Sequence, residues 1–277
     1  MIFADALQKA VKDYGLSVQH ARILLGHVIQ KTPGHIFAYP EKKVTQSGFD
    51  QFIKLCTDLA GGKPITRILG QREFWSLNFQ LSDATLDPRP DSETLIEGVL
   101  THIKDKSKDL KILDLGTGTG CLLLSLLHEY KMATGIGVDL NPKAVETATQ
   151  NAKNLGLNTR ATFQQGSWLN GLTEKFDIII SNPPYISHTD YETLDDNVRN
   201  FDPKLALVAD HNGLSCYEEI IRNAKNYLNP KGILVLEIGF GQKDDVCQIL
   251  SDNQFTLIEC RKDLAGIDRC LTAQPLL

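Results

Sequence analysis

The sequence predicts an α/β protein: a doubly wound sheet of seven strands, preceded by a small helical bundle that a β-hairpin-like connector joins to it. Three observations predict this fold. Apolar side chains recur at helical spacing over the first part of the chain. A short segment then shows partial two-residue alternation, which indicates strand or hairpin structure. From residue 111 onward, apolar strand patterns alternate with helical patterns, as in sheets that carry helices on both faces.

The N-terminal segment, residues 1–72, is predicted to be a helical bundle domain. Glycine and proline interrupt its helical patterns at positions 15, 33–34 and 61–62, so each helix is short. Short amphipathic helices that follow one another closely are typical of a bundle. The apolar positions that define these helices are Leu7, Ala10, Val11, Tyr14, Ala21, Leu24, Leu25, Val28, Ile29, Phe49, Phe52, Ile53 and Cys56.

Residues 73–90 are predicted to be the β connector. The alternation falls on residues 74–81, and the prolines at 88 and 90 stiffen the chain that follows. Immediately afterwards, Asp91 and Ser92 offer side-chain oxygens that could cap a helix beginning near Glu93. We therefore expect the connector to end at a capped helix.

Residues 91–277 are predicted to form the doubly wound sheet domain. Its candidate strands alternate with helical patterns, which favours a parallel sheet at least at its start. The candidate strands are Lys111–Leu115, Thr134–Asp139, Ala161–Gln165, Phe176–Ser181, Ile233–Ile238, Phe255–Cys260 and Arg269–Ala273.

Composition excludes several classes of function. The 277 residues carry a formal net charge of −5. Proteins that bind nucleic acid usually carry a basic surplus, so such a role would need a local basic patch and is disfavoured. The six cysteines form no C-x-x-C pair, so neither a zinc site nor a disulfide framework is indicated, and we expect no metal. The chain shows no signal-peptide pattern and no apolar run long enough to span a bilayer. A cytoplasmic protein without membrane contacts is expected.

A glycine-rich loop follows the first sheet strand. It consists of Gly116, Thr117, Gly118, Thr119 and Gly120, and it precedes a helical pattern. Glycines are needed where the backbone takes a positive φ or approaches a ligand closely. The spacing departs from the dinucleotide fingerprint and from the phosphate-binding loop of nucleotide hydrolases, so a loop that approaches a ligand without gripping its phosphates is favoured.

Asp139 ends the next strand pattern, about 20 residues after the loop. A carboxylate in this place can accept hydrogen bonds from both hydroxyls of a ribose. Together, the loop and the acid predict an adenosine-containing ligand, without specifying which one.

The segment Asn182-Pro183-Pro184-Tyr185 follows the buried strand pattern that ends at Ser181. Ligands of such sheets bind beyond the carboxyl ends of the strands, so this segment is predicted to reach the same crevice. The Asn182 side-chain carbonyl and the Pro183 backbone carbonyl could accept the two hydrogens of a planar NH₂ group. Pro184 stiffens the turn, and Tyr185 offers a flat face for a planar group. The segment therefore predicts methylation of a planar nitrogen.

These motifs resemble those of class I S-adenosylmethionine-dependent methyltransferases, and the chain resembles the release factor glutamine methyltransferase family over nearly its full length. Beyond the motifs above, the resemblance rests on the helical N-terminus, Gly62-Lys63-Pro64-Ile65, Leu69-Gly70, Phe74-Trp75, Pro88-Arg89-Pro90-Asp91-Ser92-Glu93, Phe201-Asp202-Pro203, Ala206-Leu207, Glu237-Ile238-Gly239, Gln242 and Gly266-Ile267-Asp268-Arg269.

The resemblance implies an activity and a set of roles. The reaction would be methyl transfer to the side-chain amide of the glutamine in the Gly-Gly-Gln loop of class 1 peptide chain release factors. S-adenosylmethionine would be the cofactor, surrounded by the glycine loop, with Asp139 at its ribose, Trp168 near its adenine and Asn182 also in contact with it. Asn182 and Pro183 would orient the substrate amide, and Tyr185 would pack beside it. The helical N-terminus would dock the release factor, and no direct nucleic-acid contact is expected.

Other functions share parts of this pattern. An amino methyltransferase that acts on nucleic acid would use the same Asn-Pro-Pro-Tyr segment, but the acidic balance disfavours it. Glutamine methylation of a ribosomal protein also fits the segment. A non-catalytic adenosine-binding module would bind the cofactor without turnover, and the intact segment argues against it.

Overall fold

The structure is a computed structural model that describes residues 1–276; Leu277, the last residue of the predicted sheet domain, lies outside the described residues. The chain divides into two compact units, of which the first comprises residues 1–71 and 196–201 and the second comprises residues 72–195 and 202–276. Each unit has its own apolar core.

The first unit is a helical bundle, as the sequence predicts. Its helices are Phe3–Tyr14 (α1), Val18–Ile29 (α2), Pro33–Ala38 (α3), Gln46–Ala60 (α4) and Ile65–Leu69 (α5), joined by the short helix Asp196–Phe201 from later in the chain. The buried core of the bundle includes Phe3, Leu24, Leu25, Ile36 and Phe52.

Pro33 begins a helix, whereas the sequence analysis placed a break at positions 33–34. The hydroxyl of Thr32 accepts a hydrogen bond from the backbone N–H of His35, which caps the first turn of α3. Proline is favoured in the first turn because its missing N–H would have no helical partner there. The break lies instead before Thr32: α2 ends at Ile29, and the next residue, Gln30, has a left-handed conformation.

The second unit contains a seven-stranded sheet and a β-hairpin whose first residue, Gln71, is counted with the first unit. The hairpin strands are Gln71–Phe74 (β1) and Leu77–Gln80 (β2), and Trp75 and Ser76 form the turn with positive φ values of 51° and 58°. The sheet strands are Lys111–Leu115 (β3), Thr134–Asp139 (β4), Ala161–Gln165 (β5), Phe176–Ser181 (β6), Leu228–Glu237 (β7), Phe255–Lys262 (β8) and Asp268–Pro275 (β9).

Helices of the second unit connect and cover these strands. They are Glu93–His102 (α6), Cys121–Glu129 (α7), Pro142–Asn154 (α8), His188–Tyr191 (α9), Asp210–Gly213 (α11), Ser215–Tyr227 (α12) and Lys243–Asp252 (α13), where α10 is the short helix Asp196–Phe201 of the first unit. None of the helices in the described part of the chain combines the length and the apolar character that crossing a membrane requires.

The order of strands in the sheet is β5-β4-β3-β6-β7-β9-β8. Strands β3 to β7 run parallel, and β9 pairs antiparallel with both β7 and β8. The seven predicted strands are therefore all present, and the first four have the predicted bounds. The fifth strand begins at Leu228, earlier than the predicted start at Ile233. The prediction began late because residues 229–232, Asn-Pro-Lys-Gly, carry no apolar strand pattern.

Alternate residues of each central strand face opposite helical layers. Ile178 and Ile180 of β6 pack with α6 and α7 residues, whereas Ile179 between them packs with apolar residues of α12 and α13. Burial on both faces explains why these strands read as continuous apolar runs in the sequence. The doubly wound fold expected from the sequence is thus confirmed.

Asn151 of α8 connects the hairpin to the glycine loop. Its side-chain amide donates to the backbone oxygens of Gln80, at 3.1 Å, and Thr119, at 2.9 Å, and its oxygen accepts from the Gln80 N–H at 2.8 Å. The side chain is fully buried, so each bond matters, because a buried polar group without a partner costs about 1–3 kcal/mol. Asn151 therefore holds the backbone after Gly118 in a fixed place.

Candidate active site

The candidate site is a cavity of about 370 Å³ at the carboxyl ends of strands β3, β4 and β6. Eight of the predicted site residues line it: Gly116, Thr117, Gly118, Thr119, Asp139, Trp168, Asn182 and Pro184. Three others, Gly120, Pro183 and Tyr185, belong to the same loops but are not among the lining residues. The structure thus brings the three predicted motifs to one edge of the sheet, where ligands of such sheets bind.

The glycine loop takes a backbone conformation that side chains rarely allow. Gly116, Gly118 and Gly120 have φ values of +70°, +55° and +80°. Between them, the Thr117 hydroxyl donates to a carboxylate oxygen of buried Asp114 at 2.6 Å. Burial raises the pKa of Asp114 to about 7. Three glycines in the left-handed region therefore set the backbone path of the loop. The hydrogen bond between Thr117 and Asp114 fixes the loop to the end of β3.

Asp139 lies at the end of β4, on the wall of the cavity. One carboxylate oxygen accepts the Gly118 N–H and the other accepts the Asn141 N–H, each at 2.9 Å. Each oxygen has a second acceptor site, so two further hydrogen bonds are available to a ligand. Burial raises the pKa of Asp139 above its ordinary value. The cap of α8 is supplied by Asn141, whose side chain accepts from the Lys143 N–H, so Asp139 is not a helix cap.

Trp168 packs beside the glycine loop. A methyl group in place of the Gly116 hydrogen would lie 3.5 Å from the indole ring, so the ring and this glycine are neighbours. The tryptophan itself has a positive φ of 48° and is half-buried. The cavity therefore has a flat aromatic wall next to its glycine loop.

Asn182 follows β6 and is half-buried, next to the buried Pro183. The hydroxyl of Ser181 donates to the Leu115 carbonyl of β3 at 2.7 Å, which fixes the end of β6. The Asn182 side chain donates from Nδ2 to the Ser92 hydroxyl oxygen at 3.1 Å. Its Oδ1 is therefore the end of the amide that remains to accept from a ligand in the cavity.

Glu237 anchors the other side of this arrangement. It ends β7 and is 1% exposed, and its carboxylate accepts from the Ser92 hydroxyl at 2.5 Å and from the Tyr185 hydroxyl at 3.3 Å. Burial raises the pKa of Glu237 to about 7 and raises the pKa of Tyr185 as well. Asn182 and Tyr185 of the predicted segment are thus both connected to one buried acid.

Gln242 holds the backbone of Tyr185. Its side-chain nitrogen donates to the Tyr185 carbonyl at 2.9 Å, and its oxygen accepts from the Gly239 N–H at 3.0 Å. The Tyr217 hydroxyl lies between this glutamine and β7, donating to the Glu237 backbone carbonyl at 3.0 Å. The loop that carries residues 182–185 is therefore supported from α12 and from the turn after β7.

Two assignments made from the sequence need correction or addition. Ser92 was predicted to cap α6, but residues Pro90–Ser92 form a 3₁₀ turn and no side chain caps the helix. The serine hydroxyl donates to Glu237 instead, because a buried carboxylate is the stronger acceptor. Glu237 was not singled out as a site residue, although an acid at the end of the apolar run Ile233–Leu236 was a visible signal.

Comparisons with known proteins agree with this geometry. Residues 106–267 match a family model described as a methyltransferase domain, and residues 3–70 match one described as a PrmC N-terminal domain. A methyltransferase of Pyrococcus furiosus has a similar fold, with a TM-score of 0.56 at 15% identity over 80% of this chain and 98% of that one. The fold and the site define a methyltransferase.

The relatives identify the family. The release factor glutamine methyltransferase of Rhodospirillum rubrum is 40% identical over 92% of this chain and 78% of its own length. The enzyme of the same name from Cereibacter sphaeroides is 35% identical over 98% of both chains. This chain belongs to the release factor glutamine methyltransferase family.

Proposed function

We propose that this protein transfers a methyl group from S-adenosylmethionine to the side-chain amide nitrogen of the glutamine in the Gly-Gly-Gln loop of class 1 peptide chain release factors. One observation carries the proposal: Asn182 lines the same cavity as the glycine loop and Asp139. A group that can hold a planar amide is therefore next to a site that suits an adenosine. The relatives at 40% and 35% identity bear the name of this activity.

The cavity suits the cofactor. Its volume of about 370 Å³ lies in the ordinary range for small-molecule sites. Asp139 has spare acceptor capacity for two ribose hydroxyls, and the indole of Trp168 offers an apolar face for adenine. Residues 116–120 form the loop that would surround the rest of the molecule. We propose that these residues hold the cofactor, which supplies a methyl group on a positively charged sulfur.

The chain's own residues would prepare the amide nitrogen for attack. We propose that the Asn182 side-chain oxygen and the Pro183 carbonyl each accept one N–H of the substrate NH₂ group. Two acceptors fix the orientation of the NH₂ group and leave the nitrogen lone pair facing the methyl group of the cofactor. Such orientation can lower the activation barrier by up to about 7–11 kcal/mol. Pro184 stiffens the turn and Tyr185 packs beside the amide. The departing proton leaves after transfer, since an N-protonated amide is a strong acid.

We further propose that residues 1–72 dock the release factor, that residues 73–90 connect, and that residues 91–277 carry out methyl transfer. The match of residues 3–70 to a PrmC N-terminal domain supports a dedicated role for the bundle. Release factors act in the cytoplasm, which is where we propose that this enzyme works. Nucleic acid is not proposed as a substrate, because the net charge is −5.

A labelling experiment tests the function. The purified enzyme is incubated with methyl-labelled S-adenosylmethionine and a class 1 release factor, and we expect the label on the glutamine of the Gly-Gly-Gln loop. A release factor with that glutamine changed to asparagine is the matched control, and its labelling at the same rate would refute the proposal. Transfer RNA, ribosomes and a Gly-Gly-Gln peptide are assayed in parallel.

The same assay tests the docking role of the helical bundle. If the bundle docks the partner, the whole release factor is labelled with a lower KM than the peptide.

Asp139→Ala should weaken cofactor binding by about tenfold or more. Removal of the carboxylate takes away the proposed ribose contacts, and a hydrogen bond to a charged group contributes about 1.5–3 kcal/mol. Titration calorimetry with S-adenosylmethionine measures the change, and Glu146→Gln on the exposed face of α8 is the control. An unchanged Kd in the Asp139 variant would contradict the assignment.

A further inference from the structure

A chain of three polar groups runs from the interior of the second unit to the cavity. The Ser92 hydroxyl oxygen lies 2.5 Å from Glu237 Oε2 and 3.1 Å from Asn182 Nδ2. Ser92 is 3% exposed and lines the cavity, whereas Glu237 is 1% exposed and lies behind it, shielded from bulk water. Asn182 is the only one of the three that also belongs to the proposed substrate-binding segment.

A serine hydroxyl has one proton, which makes this chain directional. When Glu237 is ionised it can only accept, so Ser92 donates to it and is left to accept from Asn182. The asparagine must then turn its NH₂ end toward Ser92 and its oxygen toward the cavity. When Glu237 is protonated, the acid can donate to Ser92, and Ser92 can donate to the asparagine oxygen.

In the second arrangement the asparagine amide is reversed. The NH₂ end of Asn182 then faces the cavity in place of its oxygen. Two NH₂ groups face each other in this arrangement, so Asn182 cannot accept a hydrogen bond from the substrate amide. The two ends of an amide have nearly the same shape, so only the hydrogen-bond network decides between them. The ionisation of one buried acid therefore sets the chemical character of a side chain at the reacting centre.

We propose that Glu237, acting through Ser92, is the positioning residue that keeps the Asn182 side-chain oxygen turned toward the substrate amide. The proposal rests on the proposed function, because it assigns Asn182 as an acceptor for that amide. It adds two residues to those that determine turnover: Ser92, which lies on the cavity wall and acts through Asn182, and Glu237, which lies behind Ser92 and is not among the lining residues.

The surroundings of Glu237 place its ionisation in an accessible pH range. Burial is the main cause that raises the pKa of Glu237, to about 7, whereas the Ser92 and Tyr185 hydroxyls and the Arg269 guanidinium favour the carboxylate and Asp91 opposes it. Arg269 is itself held by the Asp263 carboxylate at 3.1 Å. The other titratable groups that face Glu237 are Tyr217 of α12, Cys121 at the start of α7 and Cys270, its partner on β9.

Only the ionised form of Glu237 enforces the productive arrangement, because the protonated acid can either donate to Ser92 or accept from it. The productive fraction of the enzyme, and with it kcat, should therefore rise with pH through about 7. Asp114 under the glycine loop also has a pKa raised to about 7, so the wild-type profile alone does not identify the group. Substitutions at Ser92 distinguish the effects of the two acids. Ser92→Ala removes the hydrogen bonds between Glu237 and Asn182 but leaves both acids in place. Ser92→Thr retains a hydroxyl at the same position.

The experiment measures kcat and KM from pH 5.5 to 9 for the wild type, Glu237→Gln, Ser92→Ala and Ser92→Thr, with the release factor and methyl-labelled S-adenosylmethionine as substrates. We expect Ser92→Ala and Glu237→Gln to lower kcat at pH 8 by about tenfold, which is the loss of one oriented hydrogen bond. The component of the profile that rises near pH 7 should disappear in both. Ser92→Thr should retain it. Preserved kcat and a preserved profile in Ser92→Ala would overturn the proposal.

A second measurement does not depend on activity. The side-chain amide resonances of Asn182, assigned by comparison with Asn182→Asp, are followed by NMR over the same pH range in the free enzyme. We expect them to titrate near pH 7 in the wild type and to lose that titration in Ser92→Ala. Titration that persists in Ser92→Ala would refute the proposal that Glu237 acts on Asn182 through Ser92, even if the release factor is a substrate. Titration that disappears as expected would support it even if the release factor is not methylated.

Discussion

Asn182→Ala should lower kcat for methylation by about 10²–10³-fold while the protein stays folded. The expected size is that of losing one preorganised hydrogen bond at a reacting centre. The side chain lies at the cavity, half-buried, and donates one hydrogen bond to Ser92, so its removal leaves the sheet and its cores intact. Turnover under saturating substrates measures kcat, and a thermal melt measures folding.

The result is specific only if the cofactor still binds. The Kd for S-adenosylmethionine should change by less than about threefold, because the proposed ribose and adenine contacts belong to Asp139 and Trp168. Asn223→Ala provides the matched control, since this asparagine lies on the exposed side of α12 and donates to a backbone carbonyl of its own helix. An Asn182→Ala enzyme with the wild-type kcat would eliminate the orienting role.

The sequence was sufficient to predict the motifs that follow strand ends. Strands β3, β4 and β6 lie inside the sheet and are mostly buried, so their apolar patterns are clear. Gly116, Asp139 and Asn182 each come at or directly after the end of one of these strands. Parallel strands have their carboxyl ends at the same edge of the sheet. Local patterns and this one topological rule were therefore enough to bring the motifs together.

The supporting residues could not be predicted in the same way. Ser92 and Glu237 are 145 positions apart, and nothing in either local pattern indicates that they meet. Ser92 lies where a helix cap is expected, which is a sufficient local explanation for a serine. Its actual role depends on the packing of α6 against β7 and β9, which only the folded chain defines. A residue that acts through a tertiary contact leaves little trace in sequence periodicity.

Gly137→Ala should weaken S-adenosylmethionine binding on the order of 100-fold and lower the free energy of unfolding. A Cβ at this position would lie 2.5 Å from the Phe163 ring and 2.7 Å from the Thr117 hydroxyl oxygen, so both contacts must be relieved by movement. Overpacking of this kind costs about 1–3 kcal/mol. Displacing Thr117 breaks its bond to Asp114, which fixes the glycine loop. Calorimetry and chemical denaturation measure the two effects.

Gly135→Ala separates the effect on the loop from the effect on stability. Gly135 lies two residues earlier on β4, so it faces the same side of the sheet, and its added Cβ would meet Leu123 at 2.3 Å and the Ile112 carbonyl oxygen at 2.9 Å. It should therefore destabilise the fold at least as much as Gly137→Ala. The atoms nearest to its added Cβ belong to Leu123 and Ile112 and not to the glycine loop, so the Kd of the folded protein should stay within a few-fold of the wild-type value. Equal losses of affinity in both variants would mean that the glycine loop depends on the stability of the whole sheet, and that Thr117 does not fix it locally.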